Sequence, residues 1–312
     1  MLKRLLPAAL AIALAAAPAA AADKLTVLLD WFVNPDHAPL VIAKEQGHFE
    51  RHGLDVEIIA PADPSAPPRL VAAGQGDVAI TYQPDLMLQL KEGLPLVRFG
   101  TLIETPLNAL IVLEDGPIKS LADLKGKRIG YSVASIQSAY LSAMLDSVGL
   151  TMDDVEMVNV NFNLVTALLA GQVDAAIDGY RNFELTQLRI EGKPGIAFYP
   201  EEHGVPIYDE LIYVTNTALK DDPRLPRFLA AVEEATVFIT NHPAEARAMF
   251  MASHVDLDDE LNRVAFDLTV PRFAKSPAAL DPGRYDRFGA FLKEHGLLDT
   301  VPPVESYTIV VR

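Results

Sequence analysis

Polar and aromatic side chains that could hold a small molecule crowd into one stretch near the start of the chain. Residues 25–29 (LTVLL) form an apolar, partly β-branched run typical of a strand buried on both faces of a parallel sheet. Ligands in open α/β sheets bind outside the carboxyl ends of the strands. The loop after this run is therefore predicted to be a binding edge, and it carries Asp30, Trp31, Asn34, Asp36 and His37.

Two of these residues also have a purely structural interpretation. Trp31, the only tryptophan of the chain, could pack in the core, and Asp30 could cap a turn. The residues alone leave both interpretations open. Pro35 ends any helix within the loop, and the apolar segment that follows it is predicted to be helical.

The elements that must position this loop repeat in two halves. The first half contains predicted strands at 25–29, 54–59, 77–82 and 96–103, with helices at 38–47 and 68–74. In the second half, predicted strands at 108–113, 127–132, 155–160, 173–177 and 196–199 alternate with helices at 137–148, 165–170 and 182–191. A strand at 210–215 follows, and helices at 226–239, 244–252, 257–268 and 285–294 complete the chain.

This alternation predicts an α/β protein of two lobes, each a mixed, mostly parallel sheet flanked by helices. Lobe 1 is expected to comprise residues 23–104 and 212–312, and lobe 2 residues 105–211, with hinge crossings near 104–108 and 206–212. Small-molecule sites prefer domain interfaces, so we expect the ligand cleft between the lobes.

Residues 1–22 are typical of a secretory signal peptide. Lys3 and Arg4 precede an apolar stretch at 5–19, and three alanines at 20–22 suit cleavage before Asp23. The segment is short for a membrane span, and no other stretch reaches about 18 uninterrupted apolar residues. We therefore expect a soluble mature protein outside the cytoplasm.

Charge and cysteine content exclude several classes of function. The 312 residues include no cysteine, which excludes disulfides, thiol catalysis, thiolate metal sites and a lipid-acceptor cysteine. The formal net charge of −16 becomes −18 once Lys3 and Arg4 are removed. Nucleic acid and anionic membranes are then poor partners, whereas a neutral or cationic small molecule is easier to accommodate.

Patterns for metals and cofactors are weak. His48 and His52 have the spacing of helix-borne ligands, but Gly47 and Gly53 flank them and spacing fixes no acidic third ligand. No G-x-S-x-G elbow, Walker loop or G-x-G-x-x-G fingerprint occurs. We therefore predict neither a metal site nor a cofactor.

Four longer segments carry a family resemblance: AKEQGHFERHGLDVEII at 43–59, RLVAAGQGDVAITYQ at 69–83, SLADLKGKRIGYS at 120–132 and ALLAGQVDAAIDGY at 167–180. With them the chain resembles the type 2 periplasmic solute-binding proteins of ABC importers over residues 24–300. The pattern LDWxxNxxH at 29–37, NFE at 182–184 and EEHGVP at 201–206 are similar to the formylaminopyrimidine-binding proteins and the related fungal pyrimidine synthases. The resemblance implies a two-lobed type 2 periplasmic binding protein.

The resemblance also implies a ligand and its contacts. A flat thiamine pyrimidine precursor would lie between the aromatic faces of Trp31 and Tyr180. Glu184, interpreted as one helical turn beyond Tyr180, would accept hydrogen bonds from the exocyclic amine and stabilise a protonated ring nitrogen. Five further candidates, for which turn and cap hydrogen bonding is the alternative, are Asp30, Asn34, His37, Tyr82 and Asn108.

Further expectations concern partners and location. The resemblance implies delivery of the pyrimidine to an ABC permease in the inner membrane by a periplasmic protein that is not lipid-anchored, and we expect a monomer. The alternatives within the class are a riboflavin-like flavin or a sulfonate or nitrate-like anion. A positively charged cleft would favour an anion, but Arg181 is the only arginine adjacent to the proposed site residues.

An exported enzyme of the pyrimidine-synthase type is a third alternative. The fungal synthases that the chain resembles use a cysteine-rich iron motif, a pyridoxal phosphate lysine and a sacrificial histidine. Here cysteine is absent and no lysine lies between Lys24 and Lys44, which leaves only His37 from that set. We therefore predict a binding protein and not an enzyme.

Overall fold

A computed structural model describes residues 21–133 and 136–311 of the chain. The predicted signal peptide at 1–22 lies, apart from its last two residues, outside the described residues. Within the described ranges, no helix is both long and apolar enough to cross a membrane.

Residues 21–133 and 136–311 form ten strands and eleven α-helices. The strands are β1 Asp23–Leu28, β2 Leu54–Ile59, β3 Val78–Thr81, β4 Leu96–Ile103, β5 Asn108–Leu113, β6 Arg128–Tyr131, β7 Glu156–Asn159, β8 Ala175–Tyr180, β9 Gly195–Phe198 and β10 Leu211–Asn216. The helices are α1 Ala38–Glu45, α2 His48–Arg51, α3 Pro67–Ala72, α4 Gln83–Lys91, α5 Ile136–Asp146, α6 Leu164–Leu169, α7 Glu184–Ile190, α8 Arg224–Asn241, α9 Pro243–Ser253, α10 Glu260–Thr269 and α11 Pro282–Glu294.

The strands form two five-stranded sheets, with the orders β2-β1-β3-β10-β4 and β7-β6-β8-β5-β9. In the first sheet, β1 pairs in parallel with β2 and β3, whereas β10 runs antiparallel to β3 and β4. The second sheet repeats this plan, with β5 as its reversed strand. Four of the five strands in each sheet thus share one direction, which confirms the predicted mixed, mostly parallel sheets.

We call the parts built on the first and second sheets the first half and the second half. Side chains that alternate along each inner strand of the second half pack on opposite faces of its sheet. Leu110 and Ile177 belong to one apolar cluster, and their chain neighbours Ile111 and Ala176 belong to another. Helices therefore cover both faces, and the polar strand ends remain at the edges of the sheet.

Two of the predicted boundaries that differ from the structure have identifiable reasons. The strand predicted over 173–177 extends to Tyr180, because Tyr180 and Gly179 pair with Asn108 and Ala109 of β5. The helix predicted from residue 257 begins at Glu260, because the side chain of Asp259 accepts a hydrogen bond from the backbone of Asn262 and caps it there. The first of these differences moves residues 178–180 from a loop into the sheet.

The chain crosses between the halves twice, and a buried carboxylate joins the two crossings. Glu210, directly before β10, accepts hydrogen bonds from the backbone amides of Leu107 and Asn108, where the chain enters β5. The distance to the Asn108 amide is 3.0 Å. The start of β5 is therefore tied to the start of β10, although about 100 residues separate them along the chain.

Candidate functional site

The described residues enclose a cavity where the carboxyl ends of strands from both halves meet. Its volume is about 420 Å³, which includes space open to solvent, and the cavity is narrow. Twelve residues line it: Asp30, Trp31, Asn34, Asp36, Tyr82, Asn108, Ser132, Val133, Asp178, Tyr180, Phe183 and Glu184. Seven of the eight predicted site residues are among them, and whether they contact a ligand stays a prediction.

His37, the eighth predicted residue, lies behind the cavity wall. It is fully buried, and its Nε2 is 3.0 Å from Oδ1 of Asp30. Its Nδ1 accepts a hydrogen bond from the backbone amide of Asn34, so Nε2 carries the proton and donates to Asp30. The hydroxyl of Tyr82 donates to the other oxygen of Asp30 at 3.1 Å. His37 and Tyr82 thus fix the carboxylate of Asp30 in the wall.

The loop after β1 is held by a capped turn. Asn34 precedes a short 3-10 helix, Pro35–His37, and its side-chain oxygen accepts a hydrogen bond from the backbone amide of Asp36 at 2.8 Å. The capping alternative for Asn34 is therefore realised, and the same side chain also lines the cavity. This turn places Asp36 in the wall.

Trp31 and Tyr180 each pack against the half to which their own strand does not belong. The indole of Trp31, which follows β1, joins the apolar cluster of the second half and meets Phe162 edge-on with ring centroids 4.6 Å apart. Tyr180, at the end of β8, packs against the core of the first half, and its hydroxyl donates to Glu210 at 3.3 Å. The structural interpretation of Trp31, packing in a core, therefore accounts for the position of its indole ring. It does not account for Nε1, which is buried without a hydrogen-bond partner among the described residues.

The helical-turn interpretation of Tyr180 and Glu184 is wrong. Tyr180 ends β8 and Glu184 is the first residue of α7, because the pairing with β5 keeps residue 180 in the sheet. A turn between them brings Oε2 of Glu184 to 2.7 Å from the backbone amide of Tyr180. Both residues still line the cavity, but through a strand-to-helix turn instead of one helix face.

Asp178 is a lining residue that the sequence reasoning missed. Its φ of 69° places a non-glycine residue in the left-handed region, and such strain is often found at functional sites. Its Oδ2 accepts hydrogen bonds from the backbone amides of Ser132 and Val133, at 3.0 and 3.1 Å. Asp178 thereby joins the ends of β8 and β6. The only signal was its position before Gly179 at the end of a predicted strand.

Asp36 was noted in the opening loop but omitted from the predicted site, and Phe183, Ser132 and Val133 were also missed. Ser132 and Val133 act through their backbone amides, which donate to Asp178. Every residue except proline has such a donor, so the residue type does not predict this role. Phe183 lies in the turn before α7 and lines the cavity with its ring.

The wall is strongly acidic. Four carboxyl groups line the cavity, and none of the described lining residues is lysine or arginine. Burial raises the pKa of Asp36 to about 6 and that of Glu184, which is 8% exposed, to about 7; burial also raises the pKa of Asp178. Arg181 instead forms a two-point ion pair with Glu201 and stacks on Tyr199. The cavity therefore favours a solute that donates hydrogen bonds or carries positive charge.

The two histidines considered as metal ligands share one carboxylate. His48 and His52 lie 2.6 and 2.8 Å from the two oxygens of Glu234 on α8. Across the described part of the chain, no group of three or more histidine, aspartate or glutamate side chains is arranged to hold a metal ion.

The fold is that of two-domain periplasmic binding proteins. The alkanesulfonate-binding protein of Xanthomonas axonopodis pv. citri, solved with bound MOPS, matches with a TM-score of 0.75 at 17% sequence identity. The match covers 93% of this chain and 99% of that one. The predicted two-lobed binding-protein fold is thereby confirmed.

The chain belongs to the family described as NMT1/THI5 like, whose model matches residues 34–246. A relative from Haemophilus influenzae, named as a thiamine biosynthesis protein, is 47% identical over 95% of this chain and 94% of its own length. The formylaminopyrimidine-binding protein of Halalkalibacterium halodurans is 32% identical, over 78% of this chain and 73% of its own length. The predicted family resemblance is confirmed.

Relatives in this family also include enzymes. The 4-amino-5-hydroxymethyl-2-methylpyrimidine phosphate synthase of Aspergillus parasiticus is 27% identical over 89% of this chain and 84% of its own length. The fold and the formylaminopyrimidine-binding relative support a solute-binding role.

The buried carboxyls predict an unusual dependence of stability on pH. The pKa values of Asp36, Glu184 and Glu210 are raised in the folded protein to about 6, 7 and 7, so the folded state binds more protons than the unfolded state between about pH 4 and 7. The free energy of unfolding should therefore fall as the pH rises from 5.5 to 8, by about 1–2 kcal/mol for each group.

Urea unfolding at the two pH values measures this dependence, and Glu210→Gln serves as the matched variant. The variant lacks one raised carboxyl, so the difference in its unfolding free energy between pH 5.5 and 8 should be smaller than in the parent. A parent protein that is more stable at pH 8 than at pH 5.5 would contradict the assignment.

Proposed function

We propose that this protein is the solute-binding component of an ABC importer and that it captures a thiamine pyrimidine precursor of the formylaminopyrimidine or hydroxymethylpyrimidine type. It would deliver this solute to a permease in the inner membrane. The observation that carries the proposal is the narrow cavity between the halves, whose described lining includes four carboxyl groups and four aromatic side chains but no lysine or arginine.

An aminopyrimidine matches this wall in shape and in hydrogen bonding. A flat ring needs a narrow space with apolar faces, which Trp31, Tyr180 and Phe183 supply. The exocyclic amine donates hydrogen bonds, and Glu184 has a buried carboxyl that can accept them. With a pKa of about 7, Glu184 can also share a proton with a ring nitrogen. Nε1 of Trp31 and Oδ1 of Asn108, both buried without partners among the described residues, offer one donor and one acceptor more.

Charge disfavours the anionic alternatives. A sulfonate or nitrate-like ion in this cavity would face Asp30, Asp36, Asp178 and Glu184 without a basic residue in the described wall. Like charges held at close range in a buried site cost several kcal/mol. The solved alkanesulfonate-binding protein shares the fold with this chain, and fold likeness alone does not carry its ligand over. A flavin would need considerably more room than a single ring.

The synthase alternative is disfavoured, because this chain lacks the reactive side chains that the alternative would need. The cavity contains no lysine among its described lining residues, and the chain contains no cysteine. His37 is buried behind Asp30 and engaged on both ring nitrogens. Binding and delivery need none of these reactive groups, so we place the protein with the formylaminopyrimidine-binding relative and not with the synthases.

We further propose that residues 1–22 act as the export signal and that the mature protein works in the periplasm as a monomer without a lipid anchor. The basic start, the apolar stretch and the three alanines support export, and the absence of cysteine removes the acceptor for a lipid. The two crossings between the halves would act as the hinge for opening and closing.

Binding should change the fluorescence of Trp31. Trp31 lines the cavity and the chain has no second tryptophan, so a pyrimidine in the cavity should quench the emission or shift it. Titration with formylaminopyrimidine, followed by fluorescence and calorimetry in parallel, measures this effect. Calorimetric binding with unchanged emission would exclude contact with Trp31. Binding of a sulfonate or flavin in place of the pyrimidine would reject the proposed solute.

Replacing Glu184 with glutamine should weaken pyrimidine binding strongly. Glutamine keeps the size of the side chain but loses the charge and presents an N–H group to the amine of the ligand. We expect a loss of about 2–4 kcal/mol, or roughly 30- to 1000-fold in Kd, because the group is buried.

The matched control is Glu191→Gln, an exposed position that follows the end of the same helix. Calorimetry should find its affinity equal to that of the parent. If Glu184→Gln binds within threefold of the parent, the recognition of the amine must be assigned to another carboxyl of the wall.

A further inference from the structure

Three buried polar side chains form a contact between the halves, which we call the Asp36 triad: Asp36, Asn182 and Thr269. Nδ2 of Asn182 donates to Oδ1 of Asp36 at 2.6 Å and lies 2.7 Å from the hydroxyl oxygen of Thr269. The hydroxyl oxygen of Thr269 lies 3.1 Å from Oδ1 of Asp36. All three residues are at most 1% exposed.

The triad joins elements that belong to different halves. Asp36 lies in the 3-10 helix after β1, and Thr269 is the last residue of α10, which packs beside it in the first half. Asn182 lies in the turn between β8 and α7 of the second half. If the halves part, the bond between Asn182 and Asp36 must break.

The two oxygens of Asp36 have different surroundings. Oδ1 is engaged by the triad, whereas Oδ2 is buried and has no hydrogen-bond partner among the described residues. Asp36 also lines the cavity. A buried acceptor without a donor is unfavourable, and a solute that brings an N–H group to Oδ2 would remove that cost.

We propose that Asp36 couples solute binding to closure of the two halves, with Oδ2 accepting a hydrogen bond from an N–H group of the solute while Oδ1 holds Asn182 of the opposite half. This inference rests on the proposed function and adds a specificity residue to it: the solute must present an amine or amide hydrogen toward the loop after β1. Because coupling between two equilibria is reciprocal, the solute stabilises closure by the same factor by which closure tightens binding.

Two variants test the roles of Oδ1 and Oδ2 of Asp36 separately. Asn182→Ala removes the contact between the halves and leaves the cavity side of Asp36 unchanged. Asp36→Asn keeps an oxygen for Asn182 and places an N–H group where Oδ2 was, opposite the donor of the solute. The matched control is Asn262→Ala, a buried asparagine of α10 whose hydrogen bonds go to Asp259 of its own half.

The test combines calorimetry with formylaminopyrimidine and solution scattering with and without it. We expect Asn182→Ala to bind at least tenfold more weakly than the parent and to show a smaller decrease in radius of gyration at saturation. Asp36→Asn should bind roughly 10- to 100-fold more weakly but contract fully at saturation. Asn262→Ala should match the parent within twofold in both measurements, and circular dichroism checks that each variant is folded.

Two negative outcomes remain distinguishable. A parent that binds formylaminopyrimidine, with Asn182→Ala and Asp36→Asn both within twofold of it and equally compact, overturns the role of the Asp36 triad and leaves the proposed function standing. A folded parent that does not bind the pyrimidine overturns the proposed function, and the coupling falls with it.

Discussion

The burial of carboxyl groups at the ends of strands is the constraint on which the rest of this structure depends. Moving an ionised carboxylate out of water costs several kcal/mol unless donors replace the water. Each carboxyl of the wall receives such donors from another element. Asp30 is held by His37 and by Tyr82 from the end of β3, and Asp178 is held by backbone amides after β6. The ends of neighbouring strands must therefore keep their relative positions for each carboxyl to meet its donors. The two sheets thus hold the carboxyl groups of the wall in place.

The packing of Trp31 and Tyr180 also holds the two halves together. Because each ring packs against the opposite half, separating the halves would expose apolar surface from both. Glu210 also joins the halves, since it ties the two crossings together and accepts a hydrogen bond from the hydroxyl of Tyr180.

The sequence predicted the fold better than the details of the site. The period-2 pattern of residues 54–59 predicts β2 with its observed bounds, since one apolar face and one polar face leave little choice of register. The end of β8 was missed because Asp178, Gly179 and Tyr180 have a turn-like composition, and the strand continues only through its pairing with β5. That pairing is a tertiary contact, which no local pattern contains. The same cause explains the wrong helical-turn interpretation of Glu184 and the absence of Asp178 from the predicted site.

Binding proteins and synthases in this family, and sulfonate-binding proteins of the same fold, must differ at the cleft, because the scaffold is common to them. In this chain the described wall includes four carboxyl groups as hydrogen-bond acceptors and no lysine or arginine as a cationic donor. A pKa near 7 makes Glu184 adaptable, since it can accept from an amine when ionised or donate to a ring nitrogen when protonated. A solute that combines an amine with an adjacent ring nitrogen uses both states. An anion could use only the protonated form, since it brings no donor for the ionised form, and it must also face the remaining carboxylates. The selectivity that the cavity offers therefore depends on how the carboxyls are buried, and not only on how many there are.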